Sequence, residues 1–240
     1  MRIHRCALAL ATAAAGCGGD SGLPTTTNTQ SAKAAATSAV GIRTAFAGMT
    51  GSGAATALQG MSSGAQGSIQ PAQTGSPLMQ ALGLPVPKAD GPGCSCTATA
   101  CTFTNCGAGS GYVFNGNINK NADAFSYDVT STGTLSSTSW TYRHKGALTI
   151  STSLLDGDFT STGTGKVMGG ETGVNLDYDY DTSASFHDVT LDAQGCAVGG
   201  TMRVSVAFDV SGGNIPSGYG GYSGSGTVAF GPACGEANAQ

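Results

Sequence analysis

The run Asp177-Tyr178-Asp179-Tyr180-Asp181 is the most chemically suggestive stretch of the 240-residue chain. On an extended strand successive side chains alternate, so Asp177, Asp179 and Asp181 share one face and the two tyrosines the other. Neighbouring carboxylates then sit roughly 6.8 Å apart, a separation that an inverting glycosidase uses for its acid and base. A flat strand supplies no cleft to raise the pKa of one of them. The outer two, about 14 Å apart, are too distant to share a calcium ion. Alternation therefore predicts a solvated acidic face over a buried tyrosine face.

Other chemistry-bearing residues are few. Beyond His4 the chain has only His144 and His187, and it contains no His-Glu-x-x-His, which argues against a zinc hydrolase. Gly165-Lys166 fails as a P-loop because residue 160 is Thr and residue 167 is Val. His187 and Asp188 are consecutive and so point to opposite faces of a strand. His144, between Arg143 and Lys145, is expected at a solvated, mildly basic strand end. Trp140 and Tyr142 share a side, and Tyr219 and Tyr222 lie in a Gly-rich stretch. Aromatics among neutral polar residues suit a carbohydrate surface, but a core anchor is the expected role of Trp140. No catalytic, cofactor-binding or metal-ligating residue is assigned.

Cysteines carry a structural signal instead. After Cys17 there are six, Cys94, Cys96, Cys101, Cys106, Cys196 and Cys234. The first four lack the paired C-x2–4-C spacing of zinc knuckles, so three disulfides are expected, which is the pattern of an exported chain. If the segments 198–210 and 220–232 form a hairpin centred on Ile215, paired positions sum to 430. Met202 then faces Val228 and Phe208 faces Tyr222, large residue against large residue on a shared face. The same register sets Cys196 opposite Cys234. The other four pair among themselves, with Cys94–Cys106 around Cys96–Cys101 as the nested choice.

Export also fits the N-terminus. Met1-Arg2-Ile3-His4-Arg5 is basic, residues 6–15 are apolar, and Gly16-Cys17-Gly18-Gly19-Asp20 follows, the layout of a secretory signal. Ala14-Ala15-Gly16-Cys17 resembles the lipobox of bacterial lipoproteins; the resemblance covers the first twenty residues and carries no activity. It implies acylation of Cys17, palmitate included, as the first residue of the mature chain. Gly18 after that cysteine favours the outer membrane. A plain signal peptide cut after Ala13 or Ala15 is the alternative. The apolar run is too short to span a bilayer.

Loss of residues 1–16 would leave 8 basic against 14 acidic residues, a net charge of −6. Charged residues are 10% of the chain, well below the usual quarter, and polarity comes from Ser, Thr, Asn and 39 Gly. Such a surface lacks the Lys/Arg footprint of nucleic-acid binding and of polybasic membrane patches.

The elements that must position these residues follow from periodicity. Residues 1–16 are the signal peptide and 17–31 a flexible tether. Segment 32–62 is helical, because Ala35, Ala39, Ile42, Phe46 and Met49 form one stripe. Gly48, Gly51 and Gly53 break it, and Ala54, Leu58 and Met61 permit a second, weaker piece. Segment 63–93, with Pro71, Pro77, Pro85, Pro87 and Pro92, is a linker in which Leu78, Met79, Leu82 and Leu84 could dock one turn. Segment 94–236 alternates with period two and is proline-free to Ile215. Gly116-Asn117, Asp156-Gly157, Gly169-Gly170, Gln194-Gly195 and Gly212-Gly213-Asn214 are its turn signals.

The fold expected is mainly β. It is an antiparallel up-and-down meander of about six to nine strands, a curved sheet or open barrel, with a small N-terminal helical element. An α+β arrangement with the helix across the sheet is the variant. The functional expectation is an envelope-anchored lipoprotein with a structural or binding role, displayed in the periplasm or on the surface. Its partner would be an envelope or extracellular polymer or protein, besides the membrane reached through the lipid anchor. A carrier of an apolar ligand between helix and sheet, and a hydrolase using Asp177, Asp179 or Asp188, are the alternatives from other classes. A transmembrane β-barrel is disfavoured because most strands lack an outward apolar band.

Overall fold

From Cys94 onward the side chains alternate between one buried and one exposed face, and this alternation builds a single sheet. The computed structural model describes residues 25–71, 93–107, 111–135, 138–168, 175–213, 221–234 and 236–240. Cys17, residues 18–24 of the expected tether, Leu78 to Leu84, Gly169-Gly170, Ile215 and Tyr219 lie outside the described residues.

In chain order the elements are β1 (Thr25–Thr27), α1 (Thr29–Ala47), α2 (Gly51–Ser68), β2 (Ile69–Pro71), β3 (Cys94–Cys96), β4 (Ala100–Cys106), β5 (Tyr112–Asn121) and β6 (Ala124–Leu135). Then come β7 (Thr138–Ile150), β8 (Leu154–Val167), β9 (Leu176–Leu191), β10 (Ala197–Gly212), β11 (Gly221–Phe230) and β12 (Ala237–Ala239). Strands β3 to β12 form one ten-stranded antiparallel sheet in strict sequence order, an open meander with β3 and β12 at its edges. The protein is therefore mainly β. The strand number exceeds the expected range because three-residue β3 and β12, too short for periodicity to reveal, cap the two edges. β1 and β2 make a separate two-stranded ladder next to β11.

Helices α1 and α2 pack antiparallel on the buried face of the sheet. Ala35, Ala39, Ile42 and Phe46 are buried along α1 as the stripe requires, and Phe46 meets Phe125 edge-on at 5.3 Å between ring centroids. Met49 departs from the stripe: it is 60% exposed, with φ of 53° in the turn between the helices. Asn28 starts α1 earlier than expected, its side chain accepting from the backbone of Gln30 and Ser31.

The second helix is longer than its sequence suggests, running through Gly51, Gly53, Gly60 and Gly64 to Ser68. Two of these glycines are points of close approach rather than breaks. A Cβ at Gly64 would lie 2.6 Å from the backbone nitrogen of Ala35, and one at Gly51 would lie 2.6 Å from the Cys94–Ser95 peptide. α2 thus starts against the β3 edge, where Thr50 bridges Ser95, and ends at β2 beside β11. The supposed linker at 63–71 is therefore helix and strand.

Two expected turns fall inside strands. Gly116-Asn117 belongs to β5 and Asp156-Gly157 to β8, where the register shifts. Gly116 and Gly157 have φ of 124° and 123°, and each backbone comes so close to its neighbour strand that a Cβ would collide with a carbonyl. The chain reverses instead at Ala122-Asp123 and Thr152-Ser153.

Elsewhere glycines face aromatics across the ladder. Gly133 pairs with Trp140, Tyr142 with Gly163, and Gly165 with Tyr178, ring atoms taking the space that a Cβ on each glycine would fill. Trp140 is a buried member of the core, as expected.

Candidate functional site

On β9, Asp177, Asp179 and Asp181 are exposed and Tyr178 and Tyr180 buried, the arrangement that alternation predicts. Asp177 pairs with Lys166 at 3.0 Å, both side chains being more than half exposed. Asp179 stands directly opposite Asp209 on β10. Farther along the same face Arg143 grips Asp128 with two bonds of 2.8 and 2.6 Å, and the guanidinium holds that carboxyl below its ordinary range. His187 is exposed, its Nδ1 3.7 Å from Asp156 Oδ2, while the backbone nitrogen of Asp188 donates to the same carboxylate at 3.0 Å. Of these groups Asp177, Asp179 and Lys166 line a groove together with hydroxyl side chains.

Among the described residues this outer face carries no helix. Its short side chains line up across strands: Thr132 opposes Thr141, Thr141 opposes Thr164, and Thr164 opposes Asp179. A groove of about 710 Å³ runs over this ladder, with Lys166 and Asp177 at one side. Hydroxyls on short stems lose little rotamer freedom when they are bound, unlike the long charged side chains that usually cover solvent-facing strands.

The opposite face holds a polar seam among apolar rows. One row across β6 to β10 reads Val129, His144, Ser161, Thr182 and Val206. His144 is fully buried, contrary to the solvated position expected from Arg143 and Lys145. Period-two alternation sends those two outward and His144 inward with Tyr142. Burial pulls the imidazole pKa down to about 4, so the ring is neutral at neutral pH. Its Nδ1 lies 3.0 Å from Ser161 Oγ, which is 3.1 Å from Tyr180 OH. The pKa of that tyrosine is raised chiefly by burial, and on α2 Gln66 Nε2 donates to Ser62 Oγ at 3.4 Å. One row away, the hydroxyls of Tyr142 and Tyr178 meet at 2.7 Å. Among the described residues no hydrogen-bond partner reaches His144 Nε2, Thr182 Oγ1, Ser131 Oγ, Tyr127 OH, Trp140 Nε1 or the side-chain amide of Gln59.

Sequence reasoning passed over Gly60-Met61-Ser62-Ser63-Gly64, which has the Gly-x-Ser-x-Gly spacing of a nucleophile elbow. It lies inside α2 with Ser62 buried, not on a strand-to-helix turn, so the serine is not presented to a substrate. Ser161 and His144 form a hydrogen-bonded pair, equally sealed from solvent and without a carboxylate to orient the ring. The seam lies within the buried face of the sheet; it is not an open catalytic centre.

Three disulfides close the cysteine account: Cys94–Cys106, Cys96–Cys101 and Cys196–Cys234. β10 and β11 pair with Met202 opposite Val228 and Phe208 opposite Tyr222, the register that sums to 430. The Cys196–Cys234 bond ties the open end of that hairpin, with 5.5 Å between Cα atoms. Asp192 lies beside these two sulfurs, but bonded cysteines offer no thiolate to a metal. Among the described residues no helix is long and apolar enough to cross a membrane. No protein-family model, curated protein or solved structure matches the chain.

Proposed function

We propose that the chain is an exported, lipid-anchored binding module of the cell envelope, tethered through acylated Cys17 and recognising its partner with the outer face of the sheet. The observation that carries this reading is the groove of about 710 Å³ on a face whose floor is a Thr132–Thr141–Thr164 ladder. Hydroxyls at strand spacing, about 4.8 Å apart, offer donors and acceptors to a neutral polyhydroxylated chain without presenting a strong field of either sign. The basic opening, apolar run and Gly16-Cys17 junction support the anchor, and three disulfides fit an oxidising compartment.

One experiment addresses both halves. Wild type and Cys17→Ser are compared by membrane fractionation, and each is then tested for retention on insoluble neutral and anionic envelope polysaccharides. The expected result is release of Cys17→Ser from the membrane with polysaccharide retention kept, and loss of retention in Thr141→Arg/Thr164→Arg. Membrane retention of Cys17→Ser at unchanged mass would refute the anchor. Retention unaffected by the two arginines would refute the groove.

A further inference from the structure

The geometry points to a second binding place on the outer face of the sheet: a groove around Arg203 that takes a sugar bearing a carboxylate, the uronic acid unit of an acidic polysaccharide. The groove has a volume of about 470 Å³ and crosses β8 to β11. Two neighbouring rows of outward side chains make its floor. One reads Asp158, Ser185, Arg203 and Thr227, and beside it runs a row of hydroxyls from Thr160 through Ser183 and Ser205 to Ser225. This place stands apart from the threonine groove, because Asp158 lies six residues along β8 from Thr164, about 20 Å.

The charges in this groove have no partner within the protein. Of the residues that line it, Asp158 and Arg203 alone carry charged side chains, and both are exposed. Among the described residues neither side chain forms an ion pair or a hydrogen bond, whereas on the same face Arg143 holds Asp128 and Lys166 holds Asp177. Ser185 stands between them in the row, which sets their Cα atoms two strand spacings apart, about 10 Å. One pyranose unit can bridge that gap above the Ser185 hydroxyl.

Each end of the groove asks for a different group. The Arg203 guanidinium is a planar fork of donors, which meets a carboxylate with two parallel bonds. The Asp158 carboxylate is an acceptor only and takes hydroxyl donors. The serine and threonine hydroxyls beside them both give and accept. A ligand with one acid group at one end and alcohols along the rest satisfies all three, and a uronic acid is built that way. Phosphate fits less well, because its extra charge would face Asp158 with no alcohol to offer it. One unpaired guanidinium in a chain of net charge −4 is also no basic footprint for nucleic acid.

The test is an NMR titration of the full chain at low salt, where an exposed ion pair is least screened. Three probes are compared: a galacturonate dimer, a neutral glucose dimer and inorganic phosphate. The galacturonate dimer should give saturable shifts at the amides of Ser185, Arg203, Ser205 and Thr227, and should bind more tightly than the other two. Arg203→Gln should weaken it about tenfold and Arg203→Lys by less, while Arg143→Gln should leave it unchanged because Arg143 is already held by Asp128. Asp158→Ala should weaken it as well, since an acceptor for the sugar hydroxyls is lost. Tighter binding in Asp158→Ala would show that this carboxylate only repels the acid, and would overturn the assignment. No saturable shift, equal binding of the glucose dimer or of phosphate, or equal losses in Arg203→Gln and Arg143→Gln would each overturn it too. The threonine groove stands or falls separately, since it is read at the amides of Thr141 and Thr164.

Discussion

The two layers of this protein solve the same problem, burying an apolar face, with different means. The sheet uses long ladders, aromatic rings laid over cross-strand glycines, and three disulfides. The helical layer sets Ile42, Phe46, Leu58 and Met61 among alanine, glycine and serine, approaches so closely that Gly64 touches the backbone of α1, and lies over a polar seam. Small residues bury little apolar area each, at roughly 25 cal/mol per Å², so the helices owe their existence to the surface beneath them. The sheet has ladder hydrogen bonds and three disulfides of its own. One layer is a frame and the other a cover.

Breaking the frame should cost most. Cys196 and Cys234 are separated by 38 residues, and removing their bond in Cys196→Ala/Cys234→Ala releases chain entropy in the unfolded state worth on the order of 3–4 kcal/mol. The expected outcome is a lower thermal midpoint for both layers together, measured by calorimetry under conditions that leave the other two bonds oxidised. A loss confined to the helices would invert the comparison. At the other extreme, Asp177→Asn/Asp179→Asn/Asp181→Asn alters only exposed carboxylates and should change stability by less than about 0.5 kcal/mol per site. Part of that change is the Lys166–Asp177 pair, which is weak because both partners are solvated. A calcium-dependent rise in the thermal midpoint of wild type alone would contradict the solvated-face account.

How much of this was legible in the sequence also divides by layer. Period-two alternation identifies the faces of β9, and large-residue matching gives the β10–β11 register with Met202 opposite Val228. These are local or nearly local facts, which sequence can hold. Alternation also contained the inward position of His144, but the charges of Arg143 and Lys145 suggested a solvated end. The length of α2 was hidden because Gly51, Gly60 and Gly64 weaken a helix on propensity. What compensates them is close packing on Ser38, Ala35 and the β3 edge, a tertiary fact that no spacing within 51–68 records. The seam was missed for the same reason: His144, Ser161 and Tyr180 lie on three different strands.

The unequal independence of the layers is tested most directly by urea unfolding of the full chain near neutral pH with two probes. Trp140, the chain's single tryptophan, is buried in the sheet and reports the frame by its fluorescence. Site-specific amide signals of α1 and α2 report the cover. The account predicts two transitions, with the helical signals lost at lower urea while Trp140 emission stays native. Coincident transitions, with both layers leaving the folded state at one urea concentration, would contradict it.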